Sequence, residues 1–175
     1  GELFINQSTN PFIVTFVTTA DEISELSRLN RDRAEYLAAI EKIQSHGISV
    51  NGCFVLGLDG SGIDSFSGVR DFVHESGLHE VQVTVQTAFP NTPLYRRLRQ
   101  EGRLLDEQAW ELCTLFDVNF VPDGMSVQEL EDNFRWLVSK LYSDAETQRR
   151  RSHFFQQLRE LRRHQARPAA MACCG

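Results

Sequence analysis

The sequence predicts an α/β fold in which a parallel sheet of about three strands is followed by a helical C-terminal extension. Short β-branched or aromatic segments alternate with helical segments over residues 12–102, an order typical of βαβ units with right-handed crossovers. Hydrophobic residues make up 41% and charged residues 24% of the 175 residues, which is ordinary for a globular domain. Because three strands cannot close a barrel, we expect the chain to be part of a larger structure.

The first part of the chain predicts a strand, a helical region and a second strand. Residues 12–17 (FIVTFV) are β-branched and aromatic, as strands often are. A helical stretch is expected at 21–29 and a longer helix at 32–46. Gly47 stands where a left-handed residue would end that helix, and the next strand covers 48–56.

The rest of the chain predicts one further strand and several helices. A helix at 64–76 has an apolar face and ends before Gly77, and the third strand covers 79–87. The prolines that follow prevent regular structure from continuing directly, and a short helix then covers 94–102. The remaining predicted helices cover residues 106–114, 126–143 and 145–165, with Trp110 and Trp136 expected as core anchors.

The second and third predicted strands each have an apolar face and a polar face. A parallel strand buried on both sides is almost continuously apolar, and these strands are not. A polar ligand cavity would supply partners for the polar groups, since an unpaired buried amide costs roughly 1–3 kcal/mol. The alternative is an antiparallel or solvent-facing sheet whose polar side is hydrated. The polar side carries Asn51 and Cys53 on one strand and Gln82, Thr84 and Gln86 on the other.

The segment GCFVLGLDGSG at residues 52–62 is rich in glycine but matches neither common phosphate-binding pattern. No lysine follows its glycines as the P-loop requires, and a serine replaces the last glycine of the dinucleotide-binding pattern. A glycine inside a strand, such as Gly52, often marks the close approach of a ligand or another backbone. Residues 57–62 follow the strand, where binding groups of parallel α/β folds gather.

Two segments, VNGCFVLGLDG and VQVTVQTAFPNTPLYRRLRQEGRLL, resemble the second half of the partial barrel of radical S-adenosylmethionine (SAM) enzymes. The similarity is greatest to the group that also carries a cobalamin-binding domain, including hopanoid-methylase-like proteins, and it extends over about residues 21–163. The family's G-x-I-x-G-x-x-E strand, which passes beside the adenine of SAM, is matched by Gly52, Phe54, Gly57 and Asp59. Its P-x-P-G-T-P-L-Y segment is matched by residues 88–95.

This resemblance implies a fold, a division into domains and a set of cofactors. Residues 1–104 would form the C-terminal half of a partial (β/α) barrel, 105–166 a helical extension and 167–175 a disordered tail. The intact enzyme would use SAM, a [4Fe–4S] cluster and cobalamin to transfer a methyl group to a small-molecule or lipid-like substrate. The residues expected near SAM are Asn51, Gly52, Cys53, Gly57 and Asp59, and those expected near the substrate are Gln82, Thr84 and Gln86.

The sequence departs from the family pattern at several places. The C-x-x-x-C-x-x-C motif that ligates the cluster and the cobalamin-binding domain, both upstream in the family, are absent from these residues. Thr18 and Thr19 occupy the place of a glutamate–serine pair, while Ala88 and Asn91 replace a proline and a glycine. Asparagine tolerates a positive φ, so we expect the turn at Asn91 to be retained. We expect a fragment of such an enzyme, with no identified catalytic residue, that is inactive alone.

The formal net charge of −6 is unevenly distributed. Residues 149–167 contain seven arginines and one glutamate, a net charge of +6, so the rest of the chain carries −12. Such a helix can bind acidic partners, although it is more often a solvated face. The alternative to an enzyme fragment is therefore a non-catalytic α/β module that binds a partner through this helix. No nucleic acid is expected as that partner.

The remaining titratable and apolar patterns exclude several classes of protein. The four cysteines lack the spacing of a zinc or iron–sulfur site, and the five histidines are scattered as surface or helix-end residues would be. We therefore expect no metal ligands. Cys53 is interpreted as a small buried apolar residue and not as a reactive thiol. No apolar run is long enough to span a bilayer and no signal-peptide pattern is present, so the expected location is cytoplasmic.

Overall fold

The centre of the fold is a four-stranded sheet, observed in a computed structural model that describes residues 2–4, 13–19 and 31–171. Strands β1 (Glu2–Phe4), β2 (Ile13–Thr19), β3 (Ser49–Leu56) and β4 (Glu80–Val85) lie side by side in that order. β2, β3 and β4 are parallel to one another, whereas β1 pairs with β2 in the antiparallel direction. The predicted parallel α/β core is confirmed, and the predicted count of three strands is corrected by the antiparallel β1.

The described residues contain five α-helices, and each corresponds to a helix predicted from the sequence. Their boundaries agree within a few residues except at the C-terminus, where the last helix continues beyond residue 165. The helical stretch predicted at 21–29 lies outside the described residues. The helices are α1 (Arg31–Ser45), α2 (Asp64–Ser76), α3 (Pro93–Gln100), α4 (Val127–Leu141) and α5 (Asp144–Met171).

The ends of the helices follow from local sequence chemistry. Gly47 and Gly77 adopt φ angles of +82° and +61°, the left-handed conformation that ends α1 and α2 at the predicted glycines. At the start of α4, the Ser126 hydroxyl accepts from the Glu129 backbone N–H at 3.2 Å, while the Glu129 carboxylate accepts from the Ser126 backbone N–H at 2.8 Å. This reciprocal capping fixes where the helix begins.

The helix predicted at 106–114 is wrong, because this segment contains only a 3₁₀ turn at Trp110–Leu112. The Asp106 carboxylate accepts from the Gln108 backbone N–H at 2.8 Å, a local bond that competes with helix formation. Trp110 is 61% exposed, so its predicted role as a core anchor is also wrong. Trp136, in contrast, packs against the main hydrophobic core as predicted.

The main core lies between one face of the sheet and the helices α1, α2 and α4. Phe54 of β3 is fully buried and meets Phe72 of α2 edge-on, with ring centroids 6.0 Å apart. Burial of each such large apolar side chain contributes roughly 1.5–3 kcal/mol. The sheet residues of this core are Val50, Phe54, Leu56, Val81, Val83 and Val85.

The outer edge of β4 is closed by groups from later in the chain. The Tyr142 hydroxyl donates to the Val81 carbonyl at 3.0 Å. Further along the strand, the Val85 N–H donates to the Leu115 carbonyl at 2.9 Å. Since an open edge invites pairing with another chain, these bonds end the sheet at β4.

The barrel fragment and the domain division remain predictions. An open sheet of four strands is compatible with part of a barrel but does not establish one. Helix α5 reaches Met171 and so enters the tail predicted at 167–175, while residues 172–175 lie outside the described part of the chain.

Candidate binding face on strands β3 and β4

The predicted polar face of the sheet is present. Burial alternates along β3 and β4, with the apolar residues covered and the residues between them partly or fully exposed. The parallel register places Cys53 beside Gln82 and Val55 beside Thr84, so polar groups of both strands lie on one side. We call this set the polar face; it consists of Asn51, Cys53, Gln82, Thr84 and Gln86.

The Cys53 thiol connects the two strands of the polar face. Its sulfur lies 3.6 Å from the Asn51 amide nitrogen and 3.7 Å from the Gln82 amide oxygen. Burial raises the pKa of this thiol above its ordinary value, so it stays protonated at neutral pH. Cys53 is half-buried and lies on the polar face, so its chemistry there is that of a weak hydrogen-bond donor.

Gln86 has an unsatisfied acceptor at the carboxyl end of β4. Its backbone N–H extends the ladder by donating to the Leu56 carbonyl at 2.8 Å. Its side-chain oxygen Oε1 is buried, and no donor among the described residues bonds to it. A buried acceptor without a partner costs roughly 1–3 kcal/mol. A donor supplied by a ligand would remove that cost.

Gly52 lies on the opposite face, beneath the helices. A Cβ atom at this position would come within 2.6 Å of Leu78 Cδ1 and 3.0 Å of the Phe54 ring. The close approach inferred from a glycine inside a strand is therefore made by core side chains. Gly52 supports the polar face from behind and does not line it.

Gly57 forms the turn that ends β3. Its φ of +78° belongs to the left-handed region, which other residues adopt only with strain. A Cβ atom there would also meet Leu130 of α4 at 3.0 Å. The glycine is thus required by the turn and by helix packing at this position.

Asp59 is held by two arginines. Its Oδ1 accepts from Arg103 Nη2 at 2.7 Å, and Arg97 Nη1 lies 2.5 Å from its Oδ2. The Arg103 hydrogen bond, together with the charge of Arg97, lowers the pKa of the Asp59 carboxyl below its ordinary value. Asp59 therefore stays ionised, with both oxygens engaged by the protein.

The loop after β4 is fixed by a buried asparagine, Asn119, that was not predicted from the sequence. Asn119 Oδ1 accepts from the Ala88 backbone N–H, and Asn119 Nδ2 donates to the Ala88 carbonyl, both at 3.0 Å. Asn91, in the same loop, has a φ of +65°, so the turn expected there is confirmed. A polar residue among apolar neighbours (DVNFV, 117–121) was the available signal for Asn119.

One predicted surface histidine is instead packed between elements at the other end of the sheet. The His79 side chain is only 13% exposed, and its ring stacks on Phe154 at 4.3 Å. Its Nδ1 lies 2.7 Å from the Ser49 hydroxyl, and its backbone N–H donates to the buried Gln44 side chain at 2.9 Å. The expectation of a surface or helix-end residue is therefore wrong for His79.

The described residues offer no ligand set for an iron–sulfur cluster or metal ion. No group of three or more histidine, cysteine, aspartate or glutamate side chains is placed to hold a metal within that part of the chain. The amide and hydroxyl side chains of the polar face can both donate and accept hydrogen bonds. Across the same residues, no helix combines the length and apolar character needed to cross a membrane.

Comparison with known proteins shows that the chain is similar to several methyltransferases. Residues 92–173 match the family described as Domain of unknown function (DUF4070). The chain is 22% identical over 130 residues to bacteriochlorophyllide d C-12(1)-methyltransferase of Chlorobaculum tepidum, covering 74% of this chain and 28% of that protein. It is 32% identical over 75 residues to hopanoid C-2 methylase of Rhodopseudomonas palustris, covering 43% of this chain and 14% of that protein.

A third relative is also a methyltransferase. An uncharacterized methyltransferase of Synechocystis sp. is 29% identical over 108 residues, which cover 61% of this chain and 20% of that protein. The chain thus spans between about a seventh and somewhat over a quarter of these relatives. DUF4070 is a domain found in radical SAM, B12-binding methyltransferases. The resemblance predicted from the sequence motifs is therefore confirmed: the chain is similar to part of a radical SAM methyltransferase of the cobalamin-binding, hopanoid-methylase-like group.

Proposed function

We propose that this chain supplies part of the SAM- and substrate-binding wall of a cobalamin-dependent radical SAM methyltransferase and is inactive by itself. The observation that carries this proposal is the buried, unpartnered Oε1 of Gln86 at the carboxyl end of β4. In parallel α/β folds, ligands bind at the carboxyl ends of the strands. SAM carries amino and hydroxyl groups that can donate to such an acceptor.

The polar face would bind and orient the ligands. Asn51 and Cys53 on β3, with the turn at Gly57, are proposed to lie against the adenine and ribose. Gln82, Thr84 and Gln86 on the adjacent strand are proposed to lie on the substrate side, with Gln86 also within reach of SAM. The cluster and cobalamin would supply the radical and the methyl group, and the C-x-x-x-C-x-x-C motif of the cluster is not among the residues of this sequence. Gly52 and Asp59 contribute indirectly, through the packing of β3 and the position of its loop.

The substrate is proposed to be a small molecule or lipid-like compound. The names of two relatives refer to a bacteriochlorophyllide and a hopanoid. In this chain, large apolar side chains are exposed in the segments that follow β4. Phe89 is 38%, Trp110 61% and Phe116 60% exposed. Exposed apolar side chains of this kind are suited to an apolar substrate.

Calorimetric titration of the chain with S-adenosylhomocysteine tests the proposal. The wild-type chain should bind, and Gln86→Ala should weaken the affinity by roughly 5- to 10-fold, the effect of one lost hydrogen bond of about 1 kcal/mol. Gln100→Ala serves as the matched control, because Gln100 is exposed on α3. Absence of wild-type binding at millimolar ligand, or equal weakening by both variants, would contradict the proposal.

A second candidate is an interaction module that acts through α5, and the exposed arginines of this helix favour it. Arg151, Arg159 and Arg162 are exposed and spaced so that they lie on one side of the helix, beside Phe155, which is 50% exposed. The basic surface is smaller than the sequence suggested, since Arg150 is 3% exposed and donates to the Leu141 carbonyl. An acidic protein surface would suit this combination of arginine and an aromatic residue.

Binding to poly-L-glutamate distinguishes the two candidates. An interaction module should bind the polymer at 50 mM salt, lose most of this binding at about 300 mM salt, and show no affinity for S-adenosylhomocysteine. The triple charge reversal Arg151→Glu, Arg159→Glu and Arg162→Glu should abolish the interaction. Arg99→Glu, on the exposed surface of α3, is the control and should bind nearly as well as the wild type. Retained binding by the triple variant would rule out this candidate.

A further inference from the structure

We propose that residues 101–121 act as a strap that positions the two loops bordering the polar face. The strap holds the loop after β3, residues 57–62, through Arg103, and the loop after β4, residues 86–92, through Asn119. Arg103 and Asn119 are thus positioning residues. The strap lies within the matched region of unknown function, residues 92–173, and this assignment gives that region a role. The role in ligand binding rests on the function proposed above, whereas the anchoring of the loops does not.

The anchor on the β3 side is the guanidinium of Arg103. One nitrogen, Nη2, binds Asp59 at 2.7 Å, and a second, Nη1, binds Glu101 at 3.0 Å. The remaining nitrogen, Nε, donates to the Val121 carbonyl at 2.9 Å. The planar, forked group therefore joins the loop to both ends of the strap. A lysine has one compact charge and could not make this set of contacts.

The anchors on the β4 side are Asn119 and Thr114. Asn119 is 5% exposed and bonds both backbone polar groups of Ala88, as a neighbouring strand would. The Thr87 hydroxyl donates to the Thr114 carbonyl at 2.5 Å. Thr87 and Ala88 directly follow Gln86, whose side-chain oxygen is buried and has no partner among the described residues. The position of that oxygen therefore depends on the strap.

The two anchors belong to one rigid unit. The two ends of the strap pair with each other: Val121 N–H donates to the Arg103 carbonyl at 2.7 Å, and Leu105 N–H donates to the Asn119 carbonyl at 3.2 Å. Below this pairing lies a small separate core in which Ala88, Leu98 and Phe120 are fully buried. Because both anchors project from the same paired segment, a displacement of one loop is transmitted to the other.

Hydrogen–deuterium exchange of the chain tests the anchoring without any ligand. Arg103→Ala should increase the exchange of amides in residues 57–62 by at least about tenfold, and Asn119→Ala should do the same for 86–92. Arg103→Lys should behave like Arg103→Ala, because the forked contacts are lost in both. Arg99→Ala removes an exposed ion pair with Glu107 outside the anchors and is the control that should leave both loops unchanged. Unchanged exchange in both anchor variants overturns the strap.

Titration with S-adenosylhomocysteine then tests what the strap does for binding. Arg103→Ala should weaken the affinity about tenfold while the midpoint of thermal unfolding stays close to that of Arg99→Ala. A purely structural role would instead lower the midpoint and leave the affinity of the folded fraction intact, which would overturn the positioning role. If the wild type binds no ligand, the proposed function fails, and the exchange measurement alone decides whether the strap holds the loops.

Discussion

Asn119 and Ala88, separated by 31 residues in the chain, form two hydrogen bonds of 3.0 Å in which the amide side chain satisfies both the N–H and the carbonyl of one backbone unit. Asn119→Ala would leave both buried backbone groups unpaired. We expect a loss of about 2–4 kcal/mol in the free energy of unfolding, measured by urea denaturation. Asn133→Ala is the control, since Asn133 makes only an exposed bond within α4 and should cost less than about 0.5 kcal/mol. Similar losses for the two variants would show that the Asn119 bonds do not stabilise the fold.

Three glycines in the loop after β3 allow the energetic cost of backbone strain to be distinguished from the cost of a packing clash. Gly57 combines a φ of +78° with a 3.0 Å approach to Leu130, Gly60 has a φ of +83° in open space, and Gly62 has neither constraint. Alanine should therefore cost most at Gly57, about 1–2 kcal/mol at Gly60, and little or nothing at Gly62. Thermal unfolding of the three variants gives their order of stability. A Gly57→Ala variant that is no less stable than Gly62→Ala would refute the packing role of Gly57.

The stability of the fold should depend on the protonation of His79. Burial, as the largest cause, lowers the pKa of His79 below its ordinary value near 6.5, and the neighbouring Arg151 and Arg150 act in the same direction against Glu80. The folded state therefore binds a proton less readily than the unfolded state. The stabilisation is complete above about pH 6.5 and is lost as the pH falls through that value towards the lowered pKa of the folded state.

Urea denaturation between pH 5 and 8 measures this dependence. The wild-type free energy of unfolding should fall below pH 6.5, and His79→Gln should flatten that decline because it removes the titrating ring. His164→Gln, at an exposed position on α5, should retain the wild-type profile. An unchanged decline in His79→Gln would assign the acid sensitivity to other groups.

The thiol of Cys53 should react slowly although it lies on the polar face. Burial raises its pKa, and the thiolate is the reactive species, so alkylation by iodoacetamide at pH 7.5 should be much slower in the folded chain than in urea. Variants in which Cys113, Cys173 and Cys174 are replaced by serine isolate this thiol. Equal rates in the folded and unfolded chain would contradict a half-buried, protonated Cys53.

Helices and strands that are determined by their own residues could be predicted from the local sequence. Helix α2 begins and ends at the predicted residues because its apolar spacing and Gly77 specify both the buried face and the C-terminus. The alternation along β3 and β4 correctly predicted which residues face the helices, since the period of two leaves only one choice of buried face.

Features that depend on contacts between distant segments could not be predicted in this way. Residues 106–114 have adequate helix propensity, yet the carbonyl of Thr114 accepts from Thr87 and that of the adjoining Leu115 closes the edge of β4. Asp59 was correctly located at the end of a strand, but its partners lie 38 and 44 residues later, as Arg97 and Arg103. The glycine at position 52 correctly indicated that another group lies close to the backbone. Only the fold shows that this group is the Leu78 side chain.

Binding of SAM to the polar face can be measured by ¹⁵N-edited NMR of the chain titrated with S-adenosylhomocysteine. The side-chain amides of Asn51, Gln82 and Gln86 report from the polar face itself, while the buried amide of Gln44 reports from the other end of the sheet. The signals of the three polar-face amides should shift and saturate together, with the Gln44 signals unchanged. No shifts at millimolar ligand, or shifts confined to residues of α5, would contradict it.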